Sequence, residues 1–499
     1  MRKLVGNTLL TGLTVVFCLL LTEIGIRVID GLPVLPVMLP GRGGAIGTDT
    51  TASHLGNIPL ANGVDRAWFA AEPPPLPNRT TPPQEWIDLD KQLLRTPNFN
   101  FTGQIPFKSW DLFKAWNSAF VGDVCKHTYL RGAPGRLYVY DPADGQPRPF
   151  FRFLPNATAP DGLVTNAFSW RGPPVQFQKA PKTVRIVFVG ASTVAEIHHY
   201  PFSVPEYVGY WLNRWAEARK LDVKFEVLNA GRESIISVDI AGIVRQEVAP
   251  TRPDLVVYYE GNNQLQLSTV VKNVPTGIPL PAGDVAQALR RAADYSAVAR
   301  RAEGFTSGAE WPKPAYELTW PQGVDEQNPD ITRTDLPVNL TTILGHLDSI
   351  RADLAKVDSE FALSTFHWLA KDGLVIDALT QKPLLENLNV GYFPFRYRDL
   401  ERMTTFENRV FTKYAATHGI PLVDVARYMP YDPELFTDAT HNTPPGVKLR
   451  AWVVLQQLVP VVEKRLASGA WPKPVPVMGD THPAFTVPPR VIKVDCKAF

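Results

Sequence analysis

The chain has 499 residues, of which 45% are hydrophobic and 20% are charged, and its net charge is +2. This is the composition of a globular protein, and the near-neutral charge without a long basic run argues against a nucleic-acid-binding surface. The 47 prolines are roughly twice the usual share and predict long irregular connections.

The first 30 residues have the pattern of a membrane-targeting segment. Arg2 and Lys3 precede an uncharged apolar run over residues 4–22, which is long enough to cross a bilayer as a helix. A cleaved signal peptide begins in the same way, but no small-x-small cleavage site directly follows the run. We therefore expect residues 1–30 to form an uncleaved signal anchor. The basic end then stays in the cytoplasm, and the rest of the chain is extracytoplasmic, in the periplasm or outside the cell.

The three cysteines are far apart in the sequence. Cys18 lies in the apolar run, and Cys125 and Cys496 lie in the exported part. In an oxidising compartment these two would form a disulfide between the N-terminal region and the tail. Two free buried thiols are the alternative, and the sequence leaves both open. Cysteines this sparse cannot form a metal site, and we expect none.

Residues 31–165 are rich in proline, glycine and aromatic residues, and the stretch "EPPPLPNRTTPP" at 72–83 predicts a non-helical connector. The piece "GRLYVYD" suggests a strand. No residue of this region identifies a chemistry, so we describe it as an irregular N-terminal extension of unknown role.

Beyond residue 165 the pattern changes to alternating strands and helices. Strands are predicted at 184–190, 224–231, 254–261 and 420–429, and helices at 205–220, 239–250, 397–419 and 445–466. This alternation predicts an α/β domain whose parallel sheet is covered on both faces. We place the domain at residues 166–470, with a long insertion at 265–340 and a tail at 471–499. The insertion is either a lid over the active site or a packing excursion.

Three of the predicted strands end in residues suited to acyl transfer. Ser192 follows the first strand, Gly231 the second and Asn263 the third, and ligands bind at the carboxyl ends of such strands. A serine nucleophile needs a base and a carboxylate that orients the base, and His441 and Asp438 in "DATH" supply them. The developing oxyanion needs donors such as the Gly231 N–H and the Asn263 amide.

Other residues are weaker candidates for this chemistry. Asp424 is an alternative triad acid, although the D-x-x-H spacing favours Asp438 because a short loop brings both side chains to one place. His198 and His199 lie close to the serine but have no accompanying pair of metal ligands, so packing or solvent exposure is the simpler role. His367 follows a predicted strand, and we assign it no catalytic part.

Four blocks of this sequence resemble the SGNH/GDSL hydrolase family. They are "GAS" at 190–192, "NAG" at 229–231, "GNNQ" at 261–264 and "DATH" at 438–441, and the lead-in "NAFSWRG" at 166–172 is similar to that of membrane-anchored bacterial members. The resemblance implies a flavodoxin-like, three-layer sheet with Ser192 as nucleophile and His441 and Asp438 as its partners. It also implies an oxyanion hole formed by Gly231, Asn263 and the N–H of Ser192.

Two positions depart from the family pattern. Ala191 stands where the first block has aspartate, and Gln264 stands where an acid follows the asparagine. These departures put the substrate and the fine positioning of the site in doubt more than the catalytic residues.

The sequence therefore predicts a membrane-anchored serine ester hydrolase, an esterase, lipase or acylhydrolase, that needs no metal or organic cofactor. Its substrate would be an ester or an acylated carbohydrate or lipid. One alternative is an O-acyltransferase that modifies an envelope polysaccharide with the same triad. Another is a non-catalytic envelope binding protein on a degenerate hydrolase fold. The acyl group, the alcohol and the oligomeric state are not indicated by any motif.

Overall fold

The computed structural model describes residues 2–29, 48–82, 163–196, 202–233, 235–272, 296–306, 313–377, 381–474 and 476–486, with shorter pieces between them. The strands are β1 (Tyr138–Val139), β2 (Arg152–Phe153), β3 (Thr183–Gly190), β4 (Lys224–Asn229), β5 (Leu255–Tyr259), β6 (Val271–Lys272), β7 (Glu317–Leu318), β8 (Glu360–Ser364) and β9 (Leu422–Val423). The helices are α1 (Arg2–Ile29), α2 (Thr48–Leu55), α3 (Ser192–Ala195), α4 (Val204–Ala218), α5 (Ser237–Ile243), α6 (Ala297–Thr306), α7 (Leu340–Ala355), α8 (Lys382–Glu386), α9 (Tyr397–His418), α10 (Val425–Tyr428) and α11 (Pro444–Ala467). The predicted disulfide cysteines, Cys125 and Cys496, and the pair His198 and His199 lie outside the described residues.

A five-stranded sheet forms the centre of the molecule. Its spatial order is β4-β3-β5-β8-β9, and each neighbouring pair is parallel. Numbered by their order in the chain, these strands run 2-1-3-4-5, which is the flavodoxin-like order. The predicted parallel α/β fold is confirmed. From β3 the chain forms β4 on one side of it and then crosses to form β5 on its other side. Open parallel sheets bind ligands at such a switch point, outside the carboxyl ends of the strands.

The central strands read as unbroken apolar runs because both of their faces are covered. Every residue of β3 and of β5 is buried. Right-handed crossovers on either side of the switch point place helices on opposite faces. Accordingly, α4 packs against α11, whereas α5 packs against α7. The result is the three-layer arrangement that the sequence predicted.

Some predicted elements differ in length from those observed. The helix predicted at 239–250 is α-helical only to Ile243 and continues as a π turn over Val244–Val248. The strand predicted at 420–429 is limited to Leu422–Val423, because α10 begins directly after Asp424. Helix α9 ends as predicted at Gly419, whose φ of 62° is the left-handed conformation that glycine adopts without strain.

Residues 48–82 and the described part of the tail pack on the α/β domain. Leu55, Trp68 and Phe69 of the extension join the main hydrophobic core, and α2 contacts α11. In the tail, the ring of Phe485 stacks on Phe168 with centroids 5.3 Å apart. Residues on both sides of the predicted boundaries at 165 and 470 therefore pack in the same hydrophobic core.

Of the described helices, α1 alone is long and apolar enough to cross a membrane, with a mean hydropathy of 2.0 over Leu10–Ile29. Most of its apolar side chains from Leu10 onward are exposed, and a signal sequence has the same length and composition. Near its C-terminal end, α1 contacts α6 of the insertion. Elsewhere in the insertion β6 and β7 form an antiparallel pair.

Candidate active site

The nucleophile turn lies at the carboxyl end of β3. Ser192 is the first residue of α3, so its backbone N–H belongs to the first turn, where helix N–H groups have no intrahelical acceptor. A Cβ at Gly190 would lie 2.1 Å from the carbonyl oxygen of Tyr259, and one at Gly231 would lie 2.7 Å from the backbone nitrogen of Ala195. Only glycine permits these backbone approaches, which is why small residues surround the serine.

Three side chains form a continuous hydrogen-bonded chain at this edge of the sheet. Oγ of Ser192 lies 2.7 Å from Nε2 of His441, and Nδ1 of His441 lies 2.7 Å from Oδ2 of Asp438. With Nδ1 protonated, the imidazole donates to Asp438, and Nε2 accepts the hydroxyl proton of Ser192. This is the order of contacts that a serine nucleophile requires.

The loop that carries the acid and the base is organised by the acid itself. Oδ1 of Asp438 accepts the backbone N–H groups of Thr440 and His441, each at 2.8 Å. Phe436 and Asn442 form an antiparallel bridge across the base of the loop. Helix α11 starts with two prolines immediately after it, which suits the first turn of a helix. The D-x-x-H spacing thus works because one carboxylate holds both the turn and the imidazole.

Burial and charge have opposite effects on the pKa values of His441 and Asp438. Burial by itself would lower the pKa of His441, but the adjacent Asp438 carboxylate outweighs it, and the pKa of His441 rises above its usual value. Burial would likewise raise the pKa of Asp438, but the charge and hydrogen bonds of His441 lower it below the usual value. Asp438 is therefore ionised at neutral pH and stabilises a positively charged imidazole.

Two of the three expected oxyanion donors, Gly231 and Asn263, have acceptors within the protein. The N–H of Gly231 donates to Oδ1 of Asn229 at 3.0 Å. Nδ2 of Asn263 donates to the carbonyl of Ile235 at 3.0 Å. An asparagine amide has two hydrogens, and the bond to Ile235 uses one of them, whereas the single N–H of Gly231 is already donated to Asn229.

Glu260, which directly follows β5, is a site residue that the sequence reasoning missed. Its Oε1 accepts the backbone N–H groups of Asn262 and Asn263, each at 2.8 Å, and the residue is 1% exposed. Burial raises the pKa of Glu260 to about 7, against the opposing effect of these hydrogen bonds and of His441. An acidic residue at the end of an apolar strand was the signal in the sequence.

The other candidates lie apart from this chain of contacts. Oδ1 of Asp424 accepts the hydroxyl of Thr365 at 2.9 Å, so it is Asp438 and not Asp424 that contacts His441. His367 is buried between the rings of Tyr431 and Phe436, and burial lowers its pKa to about 4. Among the described residues, no cluster of three or more histidine, cysteine or carboxylate side chains is placed to bind a metal ion.

The two departures from the family pattern have structural reasons. Ala191 is fully buried, and its backbone N–H is directed to the buried Glu260, so an acid at position 191 would be a further buried carboxylate, which is costly without a partner. Gln264 exchanges hydrogen bonds with the hydroxyl of Tyr258 at 3.0–3.1 Å. A neutral amide serves both as donor and as acceptor in that buried contact.

No protein-family model and no curated protein matches this chain. Among solved structures, a lipase/acylhydrolase from Enterococcus faecalis is 16% identical, over 55% of this chain and 95% of that chain, with a TM-score of 0.29. A GDSL-like lipase from Bacteroides thetaiotaomicron is 14% identical, over 57% and 91%, with a TM-score of 0.25. An acetyl xylan esterase from Geobacillus stearothermophilus is 13% identical, over 56% and 96%, with a TM-score of 0.32. At TM-scores this low, the assignment of function depends on the geometry of the site.

Proposed function

We propose that this protein is a membrane-anchored serine ester hydrolase of the SGNH/GDSL type. The observation that carries the proposal is the pair of 2.7 Å contacts that joins Ser192 to His441 and His441 to Asp438. The four sequence blocks that meet at the ends of β3, β4 and β5 and before α11 support it.

In the first half of the reaction, Oγ of Ser192 attacks the carbonyl carbon of the ester while Nε2 of His441 takes its proton. Asp438 stabilises the imidazolium. The N–H groups of Ser192 and Gly231 and the Asn263 amide stabilise the negative charge on the carbonyl oxygen. The tetrahedral intermediate then expels the alcohol, which takes the proton from His441, and the acyl group remains on Ser192.

In the second half, His441 removes a proton from water, and the resulting hydroxide attacks the acyl-enzyme. The acid is released, and Ser192 recovers its proton from His441. A sugar hydroxyl in place of water would make the same triad an acyltransferase. Hydrolysis is the simpler proposal, because it needs only water as the second substrate.

The proposed location follows from α1. Arg2 and Lys3 before the apolar stretch favour a cytoplasmic N-terminus, which places the α/β domain on the extracytoplasmic side. We also propose residues 166–470 as the hydrolase domain, with the contacts of residues 48–82 as a supporting layer.

The test uses the full chain in detergent. Wild type, Ser192→Ala and His441→Ala are treated with a fluorophosphonate probe, and hydrolysis of p-nitrophenyl acetate is measured with and without a glycan acceptor. We expect labelling and hydrolysis in the wild type only. Acetylated glycan as the main product would establish acyl transfer, and labelling that persists in Ser192→Ala would refute the proposed nucleophile.

A further inference from the structure

The short helix that carries the nucleophile is held by two arginines at its C-terminal end. Nη2 of Arg450 donates to the carbonyl of Thr193 at 2.6 Å. Nη1 of Arg171 donates to the carbonyl of Ala195 at 3.2 Å and also to that of Glu196. A helix of four residues is too short to be stable by itself, and its last carbonyls lack intrahelical donors. These guanidinium groups supply them.

Arg450 also joins the nucleophile to the element that follows the base. It lies on α11, which starts just after the Asp438–His441 loop. The guanidinium pairs with Oε1 of Glu196, and Oε2 of the same carboxylate accepts the N–H of Val204 at 2.8 Å. One side chain therefore links α11, the end of α3 and the start of α4.

This network is buried to an extent that stability alone does not explain. Arg171 is 1% exposed, Arg450 2% and Glu196 3%. Taking such charges out of water costs about as much as their attraction returns, so a buried ion pair contributes little net stability compared with apolar residues. The guanidinium of Arg450 is further fixed over the ring of Tyr259, 4.9 Å from its centroid. What the network supplies is a fixed geometry.

We infer that Arg450, assisted by Arg171, is a positioning residue that keeps Oγ of Ser192 within reach of Nε2 of His441. This inference rests on the proposed function. It predicts that Arg450 affects the chemical step more than substrate binding, because its described contacts are with the nucleophile helix, Glu196 and Tyr259.

Arg450 has a second, electrostatic effect on the base. The charged and titratable groups that act on His441 are Asp438, Glu233, Glu260 and Arg450. The carboxylates favour the charged imidazole, whereas the positive charge of Arg450 opposes it. Removal of that charge therefore raises the pKa of His441, and the acid limb of the activity profile moves to higher pH.

Arg185 offers a matched control. It is also 1% exposed, and its guanidinium donates to the carbonyls of Gln176, Phe177 and Thr251 and pairs with Glu226. It lies near the opposite end of β3 from the nucleophile turn. Arg185→Gln therefore removes a comparable buried network without touching α3.

The experiment compares Arg450→Gln, Arg450→Lys and Arg185→Gln in the full chain, with the fold checked by circular dichroism. We expect Arg450→Gln to lower kcat and the rate of fluorophosphonate labelling about 100-fold, the cost of a misplacement near 1 Å, with KM nearly unchanged. The acid limb of the kcat–pH profile of Arg450→Gln should lie at higher pH than that of the wild type. We expect Arg450→Lys to keep the acid limb of the pH profile at its wild-type position and to recover part of kcat. We expect Arg185→Gln to have a lower melting temperature but, when folded, to be labelled by the fluorophosphonate at the wild-type rate.

A folded Arg450→Gln protein that labels at the wild-type rate would overturn the inference while leaving the triad in place. If Arg450→Gln does not fold, Arg450→Lys decides, since a wild-type rate and acid limb in that variant show that the guanidinium contacts with Thr193 and Glu196 are not required. Absence of labelling in the wild type would instead refute the proposed function.

Discussion

Nε2 of His441 lies 2.7 Å from Oγ of Ser192, although 249 positions separate the two residues in the sequence. Neither residue reaches this contact through its own element alone. Ser192 is presented by a turn that only glycines at 190 and 231 allow, and His441 by a loop closed on the Asp438 carboxylate. The contact between Ser192 and His441 therefore requires both the turn after β3 and the loop before α11 to be correctly folded.

The role of the acid is tested by Asp438→Asn. The amide cannot stabilise the imidazolium and favours the wrong tautomer of His441, and in serine proteases the equivalent change lowers kcat about 10⁴-fold. We expect a loss of that order. The pKa of His441 also falls, because its carboxylate partner raises it, so the acid limb of the residual activity moves to lower pH.

The matched control is Asp424→Asn, which changes the other candidate acid. Its carboxylate contacts Thr365 and not His441, so the steady-state rate should stay close to that of the wild type. A larger loss in Asp424→Asn than in Asp438→Asn would reverse the assignment of the triad acid.

The oxyanion role of Asn263 is tested by Asn263→Ala, compared with Asn262→Ala. Loss of one oxyanion donor costs about 10²- to 10³-fold in kcat, and we expect this for Asn263. Nδ2 of Asn262 makes only long contacts, at 3.4 Å, with Asn263 and Thr440, so its loss should be much smaller. If the two losses are exchanged, Asn262 and not Asn263 is the oxyanion donor.

The sheet and the contacts of His441 with Ser192 and Asp438 were predictable because both leave local signals in the sequence. Unbroken apolar runs such as β3 and β5 predict strands buried on both faces, and the strand ends then coincide at one edge. The D-x-x-H spacing favours Asp438 over Asp424 for a reason that the structure shows directly, since Oδ1 of Asp438 also caps the turn.

The arginines left no such signal, and Glu260 left only its place as an acidic residue at the end of an apolar strand. Arg171 and Arg450 act through contacts with backbone carbonyls of α3, and a carbonyl has no sequence identity that could be paired with a guanidinium. Glu260 directly precedes the block "GNNQ", but its contacts are with the backbone N–H groups of a turn. The competing acceptor of Gly231, the Asn229 side chain, also became apparent only in three dimensions.

The buried carboxyl of Glu260 predicts a pH dependence of stability. Its pKa rises from 4.5 to about 7 on folding, so the folded state binds the proton more tightly. The stabilisation is complete below about pH 4.5 and is lost as the pH rises through about 7, with a maximum change of about 3 kcal/mol. Glu260→Gln removes this contribution, while the amide oxygen still accepts the N–H groups of Asn262 and Asn263.

The measurement is the free energy of unfolding by urea at pH 5 and pH 8. The wild type should lose stability relative to Glu260→Gln between the two pH values. Glu434→Gln, at an exposed position, is the control and should follow the wild type. Parallel changes in the wild type and Glu260→Gln would show that Glu260 has an ordinary pKa in the folded protein.

One carboxylate of the apolar helix contacts the start of α6 in the insertion. Glu23 of α1 accepts the backbone N–H groups of Ala297 and Val298, at 2.8 and 3.1 Å, and the hydroxyl of Ser296 at 2.8 Å. It thereby caps α6 at the end where the helix dipole favours a negative charge. Loss of such a cap costs about 1 kcal/mol, so Glu23→Ala should speed local opening of α6 about fivefold.

Hydrogen exchange of the α6 amides, measured on the full chain in lipid nanodiscs, reports this opening. Thr22→Ala is the neighbouring control, because the Thr22 hydroxyl bonds only to the carbonyl of Cys18 within α1 and its loss should leave α6 unchanged. Equal exchange in wild type and Glu23→Ala would show that α6 does not depend on the Glu23 cap. Faster exchange confined to Ala297 and Val298 would show that the cap holds the first turn, and faster exchange through Thr306 that it holds the whole of α6 against α1.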